Sequence, residues 1–143
     1  MSAGDPIMTR RRRALLVLSI AWICHGVTIM HQPGWMDADE AIVFELWPLW
    51  LRVGIWLVFG ALGIGAALSG RDRAEAIGFG LAVIPPLVRV FGYGWSVAAW
   101  IVPGAPGGEW LSLFYLGFWT GLLVLVWQIS HWPEPVEGGS RRV

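Results

Sequence analysis

An arginine stands alone within the long apolar segment 76–102, and it is the first residue for which chemistry has to be considered. Arg89 follows a Pro85-Pro86 pair in this segment. A charge near the middle of a bilayer costs about 2.5–3.5 kcal/mol on insertion scales, so we expect Arg89 to face protein, water or a partner. Two interpretations remain open. Arg89 lines a polar cavity or pore, or it serves carbonyl groups that the prolines leave without their usual N–H donors.

His25 is the second candidate for a polar role inside an apolar segment. It lies in the run 14–30 at a position whose depth, counted at about 1.5 Å per residue, is similar to that of Arg89. His25 and Thr28 share one helical face, which predicts an intramembrane polar site together with Arg89. Histidine suits a proton relay because it exchanges its proton near neutral pH. The alternative is a histidine that is hydrogen-bonded to a neighbouring helix.

Composition and missing motifs restrict the class of protein. Of the 143 residues, 56% are hydrophobic and 14% are charged, against about 25% charged in soluble domains. The formal net charge is zero, which gives no case for nucleic acid as a partner. The single cysteine, Cys24, excludes an intramolecular disulfide and any multi-cysteine metal site. No phosphate-binding loop, nucleophile elbow or metal-ligand cluster is present, so we expect no enzyme activity, cofactor or metal.

Four apolar segments organise the chain. They predict an all-α integral membrane four-helix bundle whose third helix is kinked at Pro85-Pro86, because about 20 apolar residues suffice to cross a bilayer. Basic residues before the first segment would also suit a secretory signal, but no small-x-small cleavage site follows. The predicted spans within the single transmembrane domain 14–130 are about 14–30, 50–69, 76–102 and 110–130.

The distribution of charge predicts the orientation of these spans. Positively charged loops stay in the cytoplasm, so we expect a multi-pass protein of the cytoplasmic (inner) membrane with a basic N-terminus 1–13 and a polar tail 131–143 both inside the cell. Arg52 disagrees with this pattern, but an arginine near a span end can reach lipid phosphate. The topology determinants are Arg10, Arg11, Arg12, Arg13, Arg71 and Arg73.

The connection 31–49 is acidic and is expected on the outer side. Asp37, Asp39 and Glu40 lie in it, next to apolar residues that would suit a helix on the membrane surface. The segment is either a solvated loop with an interfacial anchor or a surface that binds a membrane or extracytoplasmic protein partner.

Small residues recur at spacings of four in two of the predicted spans. Ala61, Gly65 and Ser69 form such a series in the second span, and Gly117 and Gly121 form another in the fourth. Small residues at this spacing allow helices to approach closely in lipid. These positions predict helix packing and, because they recur in two spans, assembly into a homo-oligomer.

The architecture resembles that of bacteriophage holins, which are small proteins with closely packed spans, a basic flank and a short charged C-terminal tail. The resemblance covers the organisation of the chain and no specific motif. It implies an oligomeric, membrane-permeabilising or pore-forming role without catalytic residues. The first alternative is a small channel or transporter subunit with a polar path at Arg89 and His25. The second is a non-enzymatic accessory protein that binds a partner through its acidic outer loop.

Overall fold

The computed structural model describes residues 8–31, 47–102 and 111–133. These residues form five helices, and no strand occurs among them. The all-helical class predicted from the sequence is therefore confirmed. In chain order the helices are α1 (Arg10–His31), α2 (Leu49–Leu68), α3 (Asp72–Ala82), α4 (Ile84–Ile101) and α5 (Ser112–Ser130).

Four helical segments are long and apolar enough to cross a membrane. They are α1, α2, the combined segment Asp72–Ile101 made of α3 and α4, and α5. Many large apolar side chains lie on the outside of the bundle; Val17, Phe91 and Phe114, for example, are each about two-thirds exposed. An apolar surface of this kind is typical of a protein whose solvent is lipid, since a soluble monomer exposes only limited apolar patches.

The third segment is interrupted at Val83, two residues before the proline pair. Pro85 and Pro86 occupy the first turn of α4, where a missing N–H is tolerated because the first N–H groups of a helix have no partner within it. Val83 keeps right-handed helical dihedral angles. One segment is thus divided into two helices without a loop between them, next to the proline pair.

Helices α1 and α2 form a close pair because glycines of α2 meet α1. A Cβ atom added to Gly60 would lie 2.7 Å from Cγ1 of Ile23, and one added to Gly63 would overlap the hydroxyl of Ser19. Gly78 of α3 has the same role, since a Cβ there would lie 2.6 Å from that of Ala66. Small residues at such positions bring backbones together and gain van der Waals contact.

An ion-pair cluster joins the start of α1 to the turn between α2 and α3. The buried carboxylate of Glu75 accepts from Nε of Arg12 at 3.1 Å and lies 3.0 Å from Nε of Arg11. Arg12 also donates to Asp72 at 2.8 Å and to the carbonyl of Gly70 at 2.9 Å. Gly70 has a φ of 70°, a left-handed conformation that glycine adopts without strain. The start of α1 and the α2–α3 turn are therefore fixed at one end of the bundle, called here the N-terminal end.

Candidate functional site: an arginine and tryptophan cluster

Arg89 is buried among aromatic side chains at the start of α4. Only 3% of the residue is exposed, and its guanidinium carbon lies 5.7 Å from the ring centroid of Trp56 on α2. A guanidinium over an indole face is attracted by the ring quadrupole, by about 2 kcal/mol or more where water is excluded. The prolines position this contact, since they begin α4 one turn before Arg89.

Arg52 lies on the same cleft as Arg89. The described residues that line this cleft lie on α2, just before α2, or in the first two turns of α4. They are Trp47, Arg52, Ile55, Trp56, Pro85, Val88 and Arg89. Two of them are arginines and none is acidic. The cavity volume is about 20 Å³, which is about the space that one water molecule needs.

The two arginines also stand at the same height in the bundle. Arg52 is 16 residues before the last residue of α2, and Arg89 is 17 residues after the first residue of α3. At about 1.5 Å per residue both lie about 25 Å from the α2–α3 turn. The third segment, Asp72–Ile101, starts four residues before the predicted residue 76, and Arg89 lies within three residues of its midpoint. The same height corresponds to the first turn of α2.

His25 reaches the same tryptophan from α1. Its ring lies edge-on to Trp56 with centroids 4.3 Å apart, and to Trp119 of α5 at 6.1 Å. Its Nε2 atom is buried and has no hydrogen-bond partner among the described residues. The structure therefore brings His25 and Arg89 together through Trp56, as the depth estimate predicted. It does not add Thr28 to them, because that hydroxyl donates to the carbonyl of Cys24 in its own helix at 2.9 Å.

The carbonyl group exposed by the proline pair is satisfied by a tryptophan. Nε1 of Trp22 on α1 donates to the carbonyl oxygen of Ala82 at 3.1 Å, and Trp22 is 5% exposed. In a regular helix the N–H of residue 86 would make this bond, but Pro86 has none. The donor to the carbonyl of Ala82 is therefore Trp22, and not Arg89 as one of the two interpretations proposed.

The tryptophan that serves the break belongs to the same aromatic core as Trp56, the ring beside Arg89. Trp22, Trp56 and Trp119 come from three different helices and lie with centroid distances of 5.2–6.4 Å. Below a separation of about 7 Å such tilted and edge-on pairs are attractive beyond their buried area. The core therefore fixes the rings against which both His25 and Arg89 rest.

Helices α4 and α5 are joined by a polar contact next to this core. Ser112 donates to Ser96 at 2.8 Å, with both hydroxyls buried, and Tyr93 stacks on Tyr115 with ring centroids 5.2 Å apart. Hydrogen bonds between spans contribute about 0.6 kcal/mol on average in lipid. This contact holds α5, and with it Trp119, against α4.

The small residues predicted for close packing lie on the outside of the described bundle. A Cβ atom added to Gly65, Gly117 or Gly121 would meet no atom of the described residues within 4 Å. Ala61 and Ser69 are exposed as well. The packing between helices of one chain uses Gly26, Gly60, Gly63 and Gly78 instead.

The remaining predicted residues divide into two groups. Asp37, Asp39 and Glu40 lie outside the described residues. Of the six arginines predicted to set the topology, Arg11 and Arg12 bind Glu75, and Arg13 donates to the carbonyl of Met8 at 3.0 Å. The other three are exposed, namely Arg10, Arg71 and Arg73. Within the described part of the chain, no group of three or more metal-ligating side chains could hold a metal ion.

Sequence reasoning did not find the roles of Trp22, Glu75 and Arg52. The sequence has 11 tryptophans, and nothing in its local pattern singles out the one that faces the break. A signal existed for Glu75, which follows Asp72 in the first turn of a helix, but its arginine partners are more than 60 residues away. Arg52 was interpreted only as an interfacial residue.

Comparisons with known protein families, curated proteins and solved structures found no match to this chain.

Proposed function

We propose that this chain is an oligomeric, multi-pass protein of the cytoplasmic membrane that permeabilises it in the manner of a holin. The observation that carries the proposal is the open space around the small-residue positions on α2 and α5. Gly65, Gly117 and Gly121 have no described neighbour within 4 Å of an added Cβ, although the same helix α2 uses Gly60 and Gly63 to pack against α1.

The difference between the two sets of glycines supports self-association. A glycine in a helix interior costs about 0.5–1 kcal/mol relative to alanine, and the inward-facing glycines offset this cost by close helix contact. The outward-facing ones gain no such contact within the described part of one chain. A second copy seated on these faces would supply it, and several copies would enclose a membrane lesion.

The proposed orientation follows from the arginines and the contact network. The start of α1 and the α2–α3 turn lie together at the N-terminal end, where Arg11 and Arg12 bind Glu75. All six arginines of the predicted topology lie in these two segments, and a concentration of arginine favours the cytoplasmic side. We therefore place both termini in the cytoplasm and the residues between α1 and α2 outside.

Inducible expression in a bacterium tests this function. We expect a lag and then an abrupt loss of membrane potential, followed by release of a co-expressed endolysin. The combined variant Gly65→Leu/Gly117→Leu should delay or abolish the loss and reduce cross-linked oligomers. Gly80→Leu is the matched control, since Gly80 is also helical with no described atom within 4 Å of an added Cβ. An intact potential at high wild-type expression would refute the holin-like role.

A small channel or transporter subunit is the second candidate, favoured by the buried charge of Arg89 beside His25. Ionisable residues within spans are functional by default because their desolvation is costly. In this case Arg89→Ala would change the ion selectivity of a flux measured in liposomes that contain the purified protein. An unchanged flux in Arg89→Ala, with wild-type folding, would exclude a path past this residue.

A further inference from the structure

We propose that a groove between α3 and α5, at the N-terminal end of the bundle, binds the acyl chain of an anionic phospholipid. Most of its lining is apolar and comes from these two helices and the break after α3, with Ala76, Phe79, Val83 and Val126 among the residues. The cavity volume is about 380 Å³, within the range of about 300–1,000 Å³ that is usual for small-molecule sites. The inference does not depend on the permeabilising role, since it concerns what one chain binds.

The groove exists because α5 contacts the rest of the bundle along one narrow stripe. The buried residues of α5 are Ser112, Trp119 and Val126, which are spaced seven apart. Seven residues make about two turns, so a single face of the helix packs inward. Val126 belongs to the same apolar cluster as Phe79 of α3, and none of the residues of α5 that follow it is buried. A gap therefore remains between α3 and the last turn of α5.

The depth of the groove matches one leaflet of a bilayer. Ala76 lies four residues after the first residue of α3, and Val83 lies eleven residues after it. At about 1.5 Å per residue the groove extends from about 6 Å to about 16 Å from the start of α3. Half of a hydrocarbon layer about 30 Å thick is about 15 Å. The groove thus follows the path of an acyl chain from the boundary of the membrane toward its middle.

The described polar groups of the lining lie at the boundary end of the groove. Ser130 and His131 are at the end of α5, and Arg11 is the second residue of α1. Arg11 is paired with Glu75 at 3.0 Å, so we assign it no bond to the ligand. Trp127 is 61% exposed at this end, and tryptophan favours the headgroup layer of a membrane. An apolar groove with polar groups at one end suits an amphipathic ligand.

The charge around the groove favours an anionic headgroup. The described residues at the N-terminal end include six arginines, within 10–13 and 71–73, and two acids, Asp72 and Glu75. An excess of positive charge near the membrane surface attracts anionic lipids. A second copy of this chain in the same orientation would bring the same excess of positive charge to the groove. The charge is therefore complementary to an anionic lipid and not to another copy.

The test uses the full-length protein in detergent and native mass spectrometry to count bound lipid. The protein is offered phosphatidylglycerol and, in a parallel sample, phosphatidylcholine with the same acyl chains. We expect one phosphatidylglycerol per chain and about tenfold weaker retention of phosphatidylcholine. Ala76→Trp fills the groove and should weaken the retention of phosphatidylglycerol by about tenfold. Ile77→Trp is the matched control, because Ile77 is the next residue of α3, is 57% exposed and does not line the groove.

The same spectra separate a lipid from a second copy as the occupant. Loss of an oligomer in Ala76→Trp, with no lipid retained by the wild type, would assign the groove to a second copy and overturn the proposal. Equal retention of the two lipids, or equal losses in Ala76→Trp and Ile77→Trp, would overturn it as well. Circular dichroism checks that each variant is folded. Ala76→Phe introduces a smaller ring at the same position and keeps the test decisive if Ala76→Trp does not fold.

Discussion

At the scale of single residues, the structure shows how a buried carbonyl group is satisfied where the helix ladder is interrupted. Pro86 cannot donate to the carbonyl of Ala82, and Trp22 of another helix donates in its place. In a lipid-facing protein an unsatisfied carbonyl costs several kcal/mol, so the bond stabilises the break as well as the contact between α1 and α3. Trp22 also packs against Trp56 and Trp119, which links the break to the aromatic core.

The role of this indole can be separated from its packing. We expect Trp22→Phe to lower the free energy of unfolding by about 1–3 kcal/mol, because the Ala82 carbonyl loses its donor. In that background Pro86→Ala restores an N–H four residues after Ala82 and should recover part of the loss. Denaturant unfolding in mixed micelles, followed by circular dichroism, measures both effects. Trp95→Phe, at a residue that is 64% exposed, is the control. If Pro86→Ala changes stability equally in the wild type and in the Trp22→Phe variant, the loss is one of packing alone.

At the scale of helices, the two faces of α2 perform different tasks although their residues look alike in sequence. Gly63 faces α1 and leaves no room for a side chain, whereas Gly65 faces outward with open space around it in the described bundle. A rotation of about 200° for two residues accounts for the difference. The i, i+4 series in the sequence correctly indicated a face of small residues, but it could not show which face meets another helix of the same chain.

This difference predicts opposite outcomes for two neighbouring glycines. Gly63→Ala should lower the free energy of unfolding by about 1–3 kcal/mol, because the new methyl group overlaps Ser19 and α1 has to move. Gly65→Ala should leave the monomer unchanged or stabilise it by about 0.5–1 kcal/mol through helix propensity. Unfolding in detergent at low protein concentration measures the monomer. Destabilisation by Gly65→Ala that is as large as that by Gly63→Ala would contradict the assignment of faces.

At the scale of the whole molecule, the described helices form one unit held at both ends by different chemistry. Ion pairs around Glu75 join α1 to the α2–α3 turn, and the aromatic core joins α1, α2, α4 and α5 toward the other end. Charged groups suit the end proposed to face the cytoplasm, because they remain near water there. Arg52 and Arg89 are the exception, since both line a cleft away from that end of the bundle.

The proposed orientation predicts a labelling pattern for single cysteines introduced into a Cys24→Ser background. A membrane-impermeant maleimide applied to intact spheroplasts should modify Val102→Cys, at the end of α4, and leave Ser2→Cys, Arg71→Cys and Trp132→Cys unmodified. Permeabilised membranes should show modification of all four, which controls for accessibility. Labelling of Arg71→Cys in intact spheroplasts would reverse the orientation. The expected pattern follows from the positive-inside rule. The Arg71→Cys variant keeps five of the six arginines that are predicted to set the topology.

The sequence by itself determined the helical class, the approximate extent of the four apolar segments and the interruption near the prolines. Each of these follows from local chemistry, namely a run of apolar side chains or a missing N–H group. It also predicted that His25 and Arg89 lie at a similar depth and share one polar site, because the rise per residue of a helix converts sequence position into depth in the bilayer. Self-association and membrane permeabilisation remain predictions at this level.

Only the tertiary structure decided which partners these residues have. That Trp22 rather than Arg89 serves the Ala82 carbonyl, that Arg52 joins Arg89 at one cleft, and that Arg12 binds Glu75 depend on contacts between residues 37–63 positions apart. The rotation of each helix about its axis sets these contacts, and it is fixed by packing of the whole bundle. The spacing of residues in the sequence shows which of them share one face of a helix. Which other helix contacts that face depends on the packing of all helices in the bundle.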